Sequence, residues 1–132
     1  MKVYEIDGTR FSTVEEFYGE LDRVMNLSFW GHNLDAFNDI LRGGFGTPDA
    51  GFTIRWKNHA VSKDRLGYGE TVRLLKTHLE GCHPSNRESI SKQLEAAKQR
   101  CGPTAFDWLV EIIRVHGKGG DEEENNVELF LE

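Results

Sequence analysis

The sequence has little cysteine and no long apolar run. Two cysteines, Cys82 and Cys101, occur among 132 residues, without a CxxC pair or a Cys/His ligand pattern. Buried or unreactive thiols are the simplest interpretation, a disulfide is the less favoured alternative, and a reducing compartment fits best. No apolar stretch approaches the length that crosses a bilayer, and the start MKVYEIDG lacks the apolar region of a signal peptide. We therefore expect a cytoplasmic protein without a membrane segment.

The sequence also lacks an excess of basic charge. Its 16 lysines and arginines are outnumbered by 22 aspartates and glutamates, which argues against general nucleic-acid binding. Residues 1–45, 46–101 and 102–132 carry net charges of −4, +4 and −6, so the acids concentrate at the two ends. The acidic run 121–124 is either a solvated loop or an aid to electrostatic steering. This charge distribution favours encounter with a basic partner.

Length and periodicity predict a single α/β domain, because 132 residues suffice for one core. Apolar residues predict strands near 3–6, 52–57 and 127–131, and helical spacing predicts helices near 12–26, 33–43, 66–81, 85–100 and 103–115. Residues 58–63 are either a helical turn or irregular. The order strand, two helices, strand, three helices, strand requires crossover connections. We therefore predict a small three-stranded parallel sheet covered by helices.

Capping signals predict where two of these helices begin. Asn33 is a good N-cap for the second helix, and Gly43 with Gly44 suits its C-terminal end. Ser85 with Glu88 has the spacing of a capping box at the start of the helix near 85–100. That helix has only a thin apolar stripe, which predicts a position on the surface.

The most informative stretch is residues 28–44, SFWGHNLDAFNDILRGG, whose short helix has two different faces. The apolar face, suited to docking on a core, consists of Leu34, Phe37 and Leu41. The polar face consists of Asp35, Asn38, Asp39 and Arg42. Two carboxylates one turn apart on an exposed face are either an ordinary solvated surface or a binding site.

A metal-dependent enzyme is one interpretation of this stretch. His32, Asp35 and Asp39 project in roughly one direction, and a histidine with two carboxylates can hold a divalent ion. No HExxH, Walker-type or nucleophile-elbow pattern supports such an enzyme, and no further ligand is clearly placed to complete the shell. This is the least favoured interpretation.

The run FWGHNLDAFNDIL, residues 29–41, resembles the second-helix region of the barstar family, the intracellular inhibitors of barnase-type ribonucleases. That family has an aromatic pair followed by G-x-N-L-D-A-[LF]-x-D-x-L. The opening strand, its Asp-Gly turn and the first helix are similar, at matching distances. The resemblance covers residues 1–58 and resumes in the last helix and strand. We therefore expect one barstar-like domain over residues 1–132, with an extended helical segment at about 59–101.

The resemblance implies an inhibitor without enzymatic activity, catalytic residues, metal or cofactor. The carboxylate matching Asp39 would enter the nuclease site where the RNA phosphate binds, and the carboxylate matching Asp35 would support it. Physical chemistry agrees with this role, because a preorganised carboxylate can replace phosphate among arginine, lysine and histidine side chains. The implied partner is a basic ribonuclease of the extracellular type, with no direct nucleic-acid or membrane contact. We expect a monomer when the chain is free.

The predicted partner-binding residues lie in the second helix and the loops that flank it: Phe29, Gly31, His32, Asn33, Asp35, Asn38, Asp39, Arg42, Gly43 and Gly44. The best-studied family members have tyrosine at Phe29, tryptophans at Asn38 and Gly44, and threonine at Arg42. The apolar part of the interface is therefore thinner here. Arg42 either neutralises Asp39 or meets an acid on a different partner. An immunity or binding module for another toxin or protein thus stays open as an alternative.

Overall fold

Three strands form one parallel sheet. The computed structural model describes residues 2–27, 30–43, 46–48 and 51–132, and places β1 (Lys2–Asp7), β2 (Phe52–Lys57) and β3 (Val127–Leu131) in the order β1-β2-β3. Ile54 at the centre pairs with Tyr4 on one side and with Leu129 on the other. The predicted α/β fold with a small three-stranded parallel sheet is confirmed.

Helices make both crossovers. Between β1 and β2 lie α1 (Val14–Met25) and α2 (Leu34–Ile40). Between β2 and β3 lie α3 (His59–Arg65), α4 (Tyr68–Gly81), α5 (Arg87–Lys98) and α6 (Ala105–Val115). The segment 58–63, which the sequence left open, is therefore mostly helical.

The capping box predicted at Ser85 and Glu88 is wrong. Residues Pro84–Asn86 form a 3₁₀ turn, and the amide of Ser85 donates a hydrogen bond to Nδ1 of His83 at 3.1 Å. Proline fixes its own φ and so favours this earlier turn, which delays the start of α5 to Arg87.

One face of the sheet and the helices that pack on it form the main core. Trp56 lies at its centre, fully buried, with its ring stacked on Phe17 at 5.2 Å between centroids. Its indole Nε1 donates a hydrogen bond to Ser62 Oγ at 2.9 Å. Trp108 is only half-buried because it lies between this core and a smaller second cluster.

The second cluster belongs to the helical hairpin formed by α4 and α5. The apolar stripe of α5, Ile90, Leu94 and Ala97, is buried against Leu75 of α4, and most of the rest of α5 is exposed. The surface position predicted for this helix is thus confirmed. Glu70 of α4 joins the hairpin to the rest of the protein, because its carboxylate accepts a hydrogen bond at 2.8 Å from the amide that begins α1.

Acid should destabilise this fold. Glu20 is buried and accepts hydrogen bonds from the Arg23 guanidinium and from the amide of Asp7. Burial alone would raise the pKa of Glu20, but these hydrogen bonds hold it below its ordinary value of 4.5. A folded-state pKa that is lowered adds stability above the unfolded-state pKa and loses it as pH falls. We therefore expect the free energy of unfolding to be level near neutral pH and to fall below about pH 4.5.

Urea titrations at a series of pH values measure this dependence. Glu20→Gln should make the acid slope shallower, since the amide does not titrate. Exposed Glu88, whose only partner in the described part of the chain is Lys92 on the same helix, offers the matched control Glu88→Gln. A slope that the Glu20 and Glu88 variants change equally would contradict the role given to Glu20.

Candidate functional site

The core fixes the orientation of α2. Its residues Phe37 and Ile40 are fully buried, and the Phe37 ring meets Phe17 of α1 edge to face at 5.4 Å between centroids. Oδ1 of Asn33 accepts a hydrogen bond from the amide of Ala36 at 2.8 Å, so Asn33 is the N-cap that the sequence predicted. Packing and capping therefore fix the orientation of α2, so its opposite face points away from the core before any partner binds.

Asp35 and Asp39 both lie on that exposed face, but their surroundings differ. Oδ1 of Asp39 accepts a hydrogen bond from Arg42 Nη1 at 3.0 Å. Asp35 forms no hydrogen bond or ion pair with any other residue in the described ranges. Arg42 thus neutralises part of the charge of Asp39, as one of the two alternatives for this residue predicted.

Glu122, from the acidic run near the C-terminus, joins the same site. Arg42 Nε donates a hydrogen bond to Glu122 Oε1 at 2.6 Å, so one guanidinium binds carboxylates from two parts of the chain. This hydrogen bond lowers the pKa of Glu122, so its carboxyl group stays ionised further into the acid range than an ordinary glutamate. The two residues are 80 positions apart, and no local sequence pattern links them.

Asn38 is half-buried and its side chain is turned toward the protein. Its Oδ1 lies 2.7 Å from Nε2 of His116, a fully buried residue at the end of α6. Nδ1 of the same ring lies 2.6 Å from Oδ1 of Asn125. These contacts tie the last turn of α2 to the segment that carries Glu122. Sequence analysis did not single out His116, because a buried histidine between two amides has no sequence signature.

The loop before α2 is held by Asp22 of α1, which the sequence analysis also missed. The buried Trp30 donates a hydrogen bond from Nε1 to Asp22 Oδ1 at 2.5 Å, and Nε2 of His32 lies 2.8 Å from Oδ2. His32 has a left-handed φ of 47° and remains exposed, which fits the loop position predicted for it. At Gly31 a Cβ atom would lie 3.2 Å from the Cβ of Ala36, so glycine permits the close approach of loop and helix.

The structure describes most of the predicted partner-binding residues. Gly43 follows α2 with φ 111°, a conformation that glycine adopts without strain. Phe29 and Gly44 lie outside the described residues. Within the described ranges, no three histidine, cysteine, aspartate or glutamate side chains are grouped to hold a metal ion, so His32, Asp35 and Asp39 do not form a ligand set. In the same ranges no helix is both long enough and apolar enough to cross a membrane.

A sequence model of the family described as Barstar (barnase inhibitor) matches residues 1–101. The chain belongs to the Barstar family. The match runs from β1 to just beyond α5, and so includes α2 and the α4–α5 hairpin of this Barstar protein. It confirms the resemblance that the second-helix motif indicated. A search of curated proteins found no match.

Proposed function

We propose that this Barstar protein inhibits a barnase-type ribonuclease, and that α2 with its preceding loop covers the active site of that nuclease. The family description supports an inhibitory role. The observation that supports this surface is the rigid presentation of two carboxylates: the buried side of α2 is fixed in the core while Asp35 and Asp39 remain exposed one turn apart. Rigid presentation matters because a preorganised group loses little entropy when it binds.

Asp39 is the group that takes the place of the substrate phosphate. Ribonuclease sites hold phosphate with arginine, lysine and histidine side chains, and a carboxylate makes strong charge-assisted hydrogen bonds with the same groups. Arg42 donates its hydrogen bond to Oδ1 of Asp39, and Oδ2 accepts no hydrogen bond from the described residues, which leaves Oδ2 for the partner. Asp35 adds a second negative charge one turn away. An inhibitor of this kind acts in the cytoplasm, as a monomer, before the nuclease is exported.

A second candidate function is an immunity or binding module for a different toxin. The observation that favours it is Arg42, which adds an exposed positive charge to the face that carries Asp39. A uniformly basic active site would be repelled by this guanidinium, whereas a partner with an acid at that position would bind it. The paired Glu122 offsets part of this charge, so we retain the ribonuclease as the first candidate.

Calorimetric titration of the protein into a barnase-type ribonuclease, alongside an RNA-cleavage assay, tests the proposal. We expect one-to-one binding and loss of RNA cleavage at equimolar inhibitor. A ribonuclease that neither binds nor loses activity would refute the proposal for that enzyme and favour the second candidate. Affinity capture with the wild-type protein would then identify the other partner.

Association with the ribonuclease should slow strongly as salt is added. Charge complementarity between the acidic α2 surface and a basic active site accelerates encounter, and salt screens this attraction. We expect the association rate constant from stopped-flow fluorescence to fall at least about tenfold between low and high ionic strength. A rate that salt leaves unchanged would contradict an electrostatic mechanism.

A chelator separates this proposal from the metal-dependent enzyme considered above. An activity that depended on a metal ion would be lost when a chelator is added.

A further inference from the structure

A cavity of about 620 Å³ lies beside the start of α2, between it and the α4–α5 hairpin. Its volume is in the range of about 300–1,000 Å³ that is typical of binding pockets. The walls come from α1, α2, α4, α5 and α6, and most of the lining is apolar. The apolar side chains that the argument uses are Tyr18, Leu34, Leu74, Trp108 and Ile112.

The charged groups of this cavity are carboxylates. Asp35 lines it from α2 and has no ion-pair partner among the described residues. Glu15 lines it from α1 and binds Arg73 at 2.5 Å, but Arg73 also binds the buried Glu70 at 2.6 Å. Two acids thus share one arginine, and with Asp35 the mouth of the cavity carries excess negative charge. The other polar side chains of the lining are those of His32, Asn33, His78 and Gln93.

We propose that this cavity receives an arginine- or lysine-bearing segment of the partner protein. The apolar lining suits the methylene stem of such a side chain, and the carboxylates at the mouth suit its charged head. The half-buried Trp108 offers an aromatic ring, which attracts cations further. A neutral apolar segment would leave the carboxylate of Asp35 without a counter-charge, and an acidic segment would be repelled.

The cavity is continuous with the surface proposed to cover the nuclease. His32, Asn33 and Asp35 belong to both, so a basic partner seated on α2 extends directly into the cavity. This inference therefore rests on the proposed function and deepens it. It gives the α4–α5 hairpin a role in recognition, because Leu74, His78 and Gln93 of the hairpin close one side of the cavity.

Filling the cavity from its rim tests the proposal against the nuclease. Gln93 is exposed on α5 and lines the cavity, so Gln93→Trp places an indole across it with little risk to the fold. Ser91→Trp is the matched control, since Ser91 is exposed on the same helix and does not line the cavity. We expect Gln93→Trp to weaken nuclease binding by at least about tenfold and Ser91→Trp to leave it unchanged. Equal affinities of the two variants would overturn the proposal.

A second measurement needs no nuclease. Acetyl-Phe-Arg-amide and its neutral analogue acetyl-Phe-citrulline-amide are titrated into the ¹⁵N-labelled protein, and amide shifts are followed by NMR. We expect shifts around the cavity, tighter binding of the arginine peptide by about fivefold, and loss of binding in Gln93→Trp. Equal binding of both peptides, or no shifts around the cavity, would overturn the preference for a cation.

The two measurements separate the two proposals. If the protein inhibits the nuclease and Gln93→Trp has no effect, the proposed role of the cavity is refuted and the proposed function is not. Cation-selective peptide binding by a protein that inhibits no barnase-type ribonuclease refutes the proposed function, and supports the cavity as a site for a basic segment of another partner.

Discussion

Replacing Asp39 with alanine should remove most of the affinity for a barnase-type ribonuclease. Asp39 is exposed at the centre of the α2 surface, where a partner would desolvate it completely and pair it with basic groups. Truncation of such hot-spot residues costs about 2–8 kcal/mol of binding free energy. The upper end of this range was found for an aspartate of a barstar, and we take it as the expectation for this family. Calorimetry and inhibition of RNA cleavage measure the loss.

The fold should survive this change, because Arg42 is the only described side chain that forms a hydrogen bond or ion pair with Asp39, and alanine is a good helix former. Thermal unfolding checks that point. Glu88→Ala is the matched control, since Glu88 is also an exposed acid, lies on α5 away from α2 and does not line the cavity. If the variants at Asp39 and Glu88 lose the same affinity, binding depends on overall charge and the assigned surface is wrong.

The sequence predicted the fold well where periodicity is strong. Alternation in 52–57 and helical spacing in α1, α4 and α6 reflect burial on one face, which is a local property of the chain. Short elements were harder. The seven residues of α3 hold too few turns for a clear stripe, and Pro84 opened a 3₁₀ turn where a capping box was expected.

For the site, the sequence predicted the two faces of α2 but not what surrounds them. Asp35 and Asp39 follow from the helical period, and Asn33 follows from its capping chemistry. The hydrogen bond between Arg42 and Glu122 depends on how α6 and the segment after it pack beside α2, and no local pattern encodes it. No local pattern encodes the cavity either, because its walls come from five helices.

The two sides of α2 depend on different parts of the chain. Its buried side is shared with the core, so Phe37 and Ile40 are constrained by packing. Its exposed side is flanked by groups that belong to other elements, namely Glu122 at one end and the cavity at the other. Under the proposed function, we therefore expect substitutions in the hairpin or the acidic run to alter partner preference without any change to the carboxylates themselves.

Replacing Trp56 with alanine should cost more stability than any other change considered. The side chain is fully buried and meets the rings of Phe11, Phe17 and Phe106 at 5.2–5.9 Å between centroids. Large-to-small changes of this kind cost about 3–5 kcal/mol, from lost transfer energy and from the cavity left behind. The loss is a large part of the roughly 5–15 kcal/mol that stabilises a typical domain.

Chemical denaturation and calorimetry measure this effect on the free energy of unfolding. At roughly 4 °C per kcal/mol for a domain of this size, the melting temperature should fall by about 12–20 °C. Trp108→Ala is the comparison, because Trp108 is half-buried between the two clusters and its truncation removes less buried apolar surface. A greater loss at Trp108 would mean that the contact of the hairpin with α6, rather than the centre of the sheet, dominates stability. The surface on α2 would then depend on the hairpin for its support as well as for its cavity.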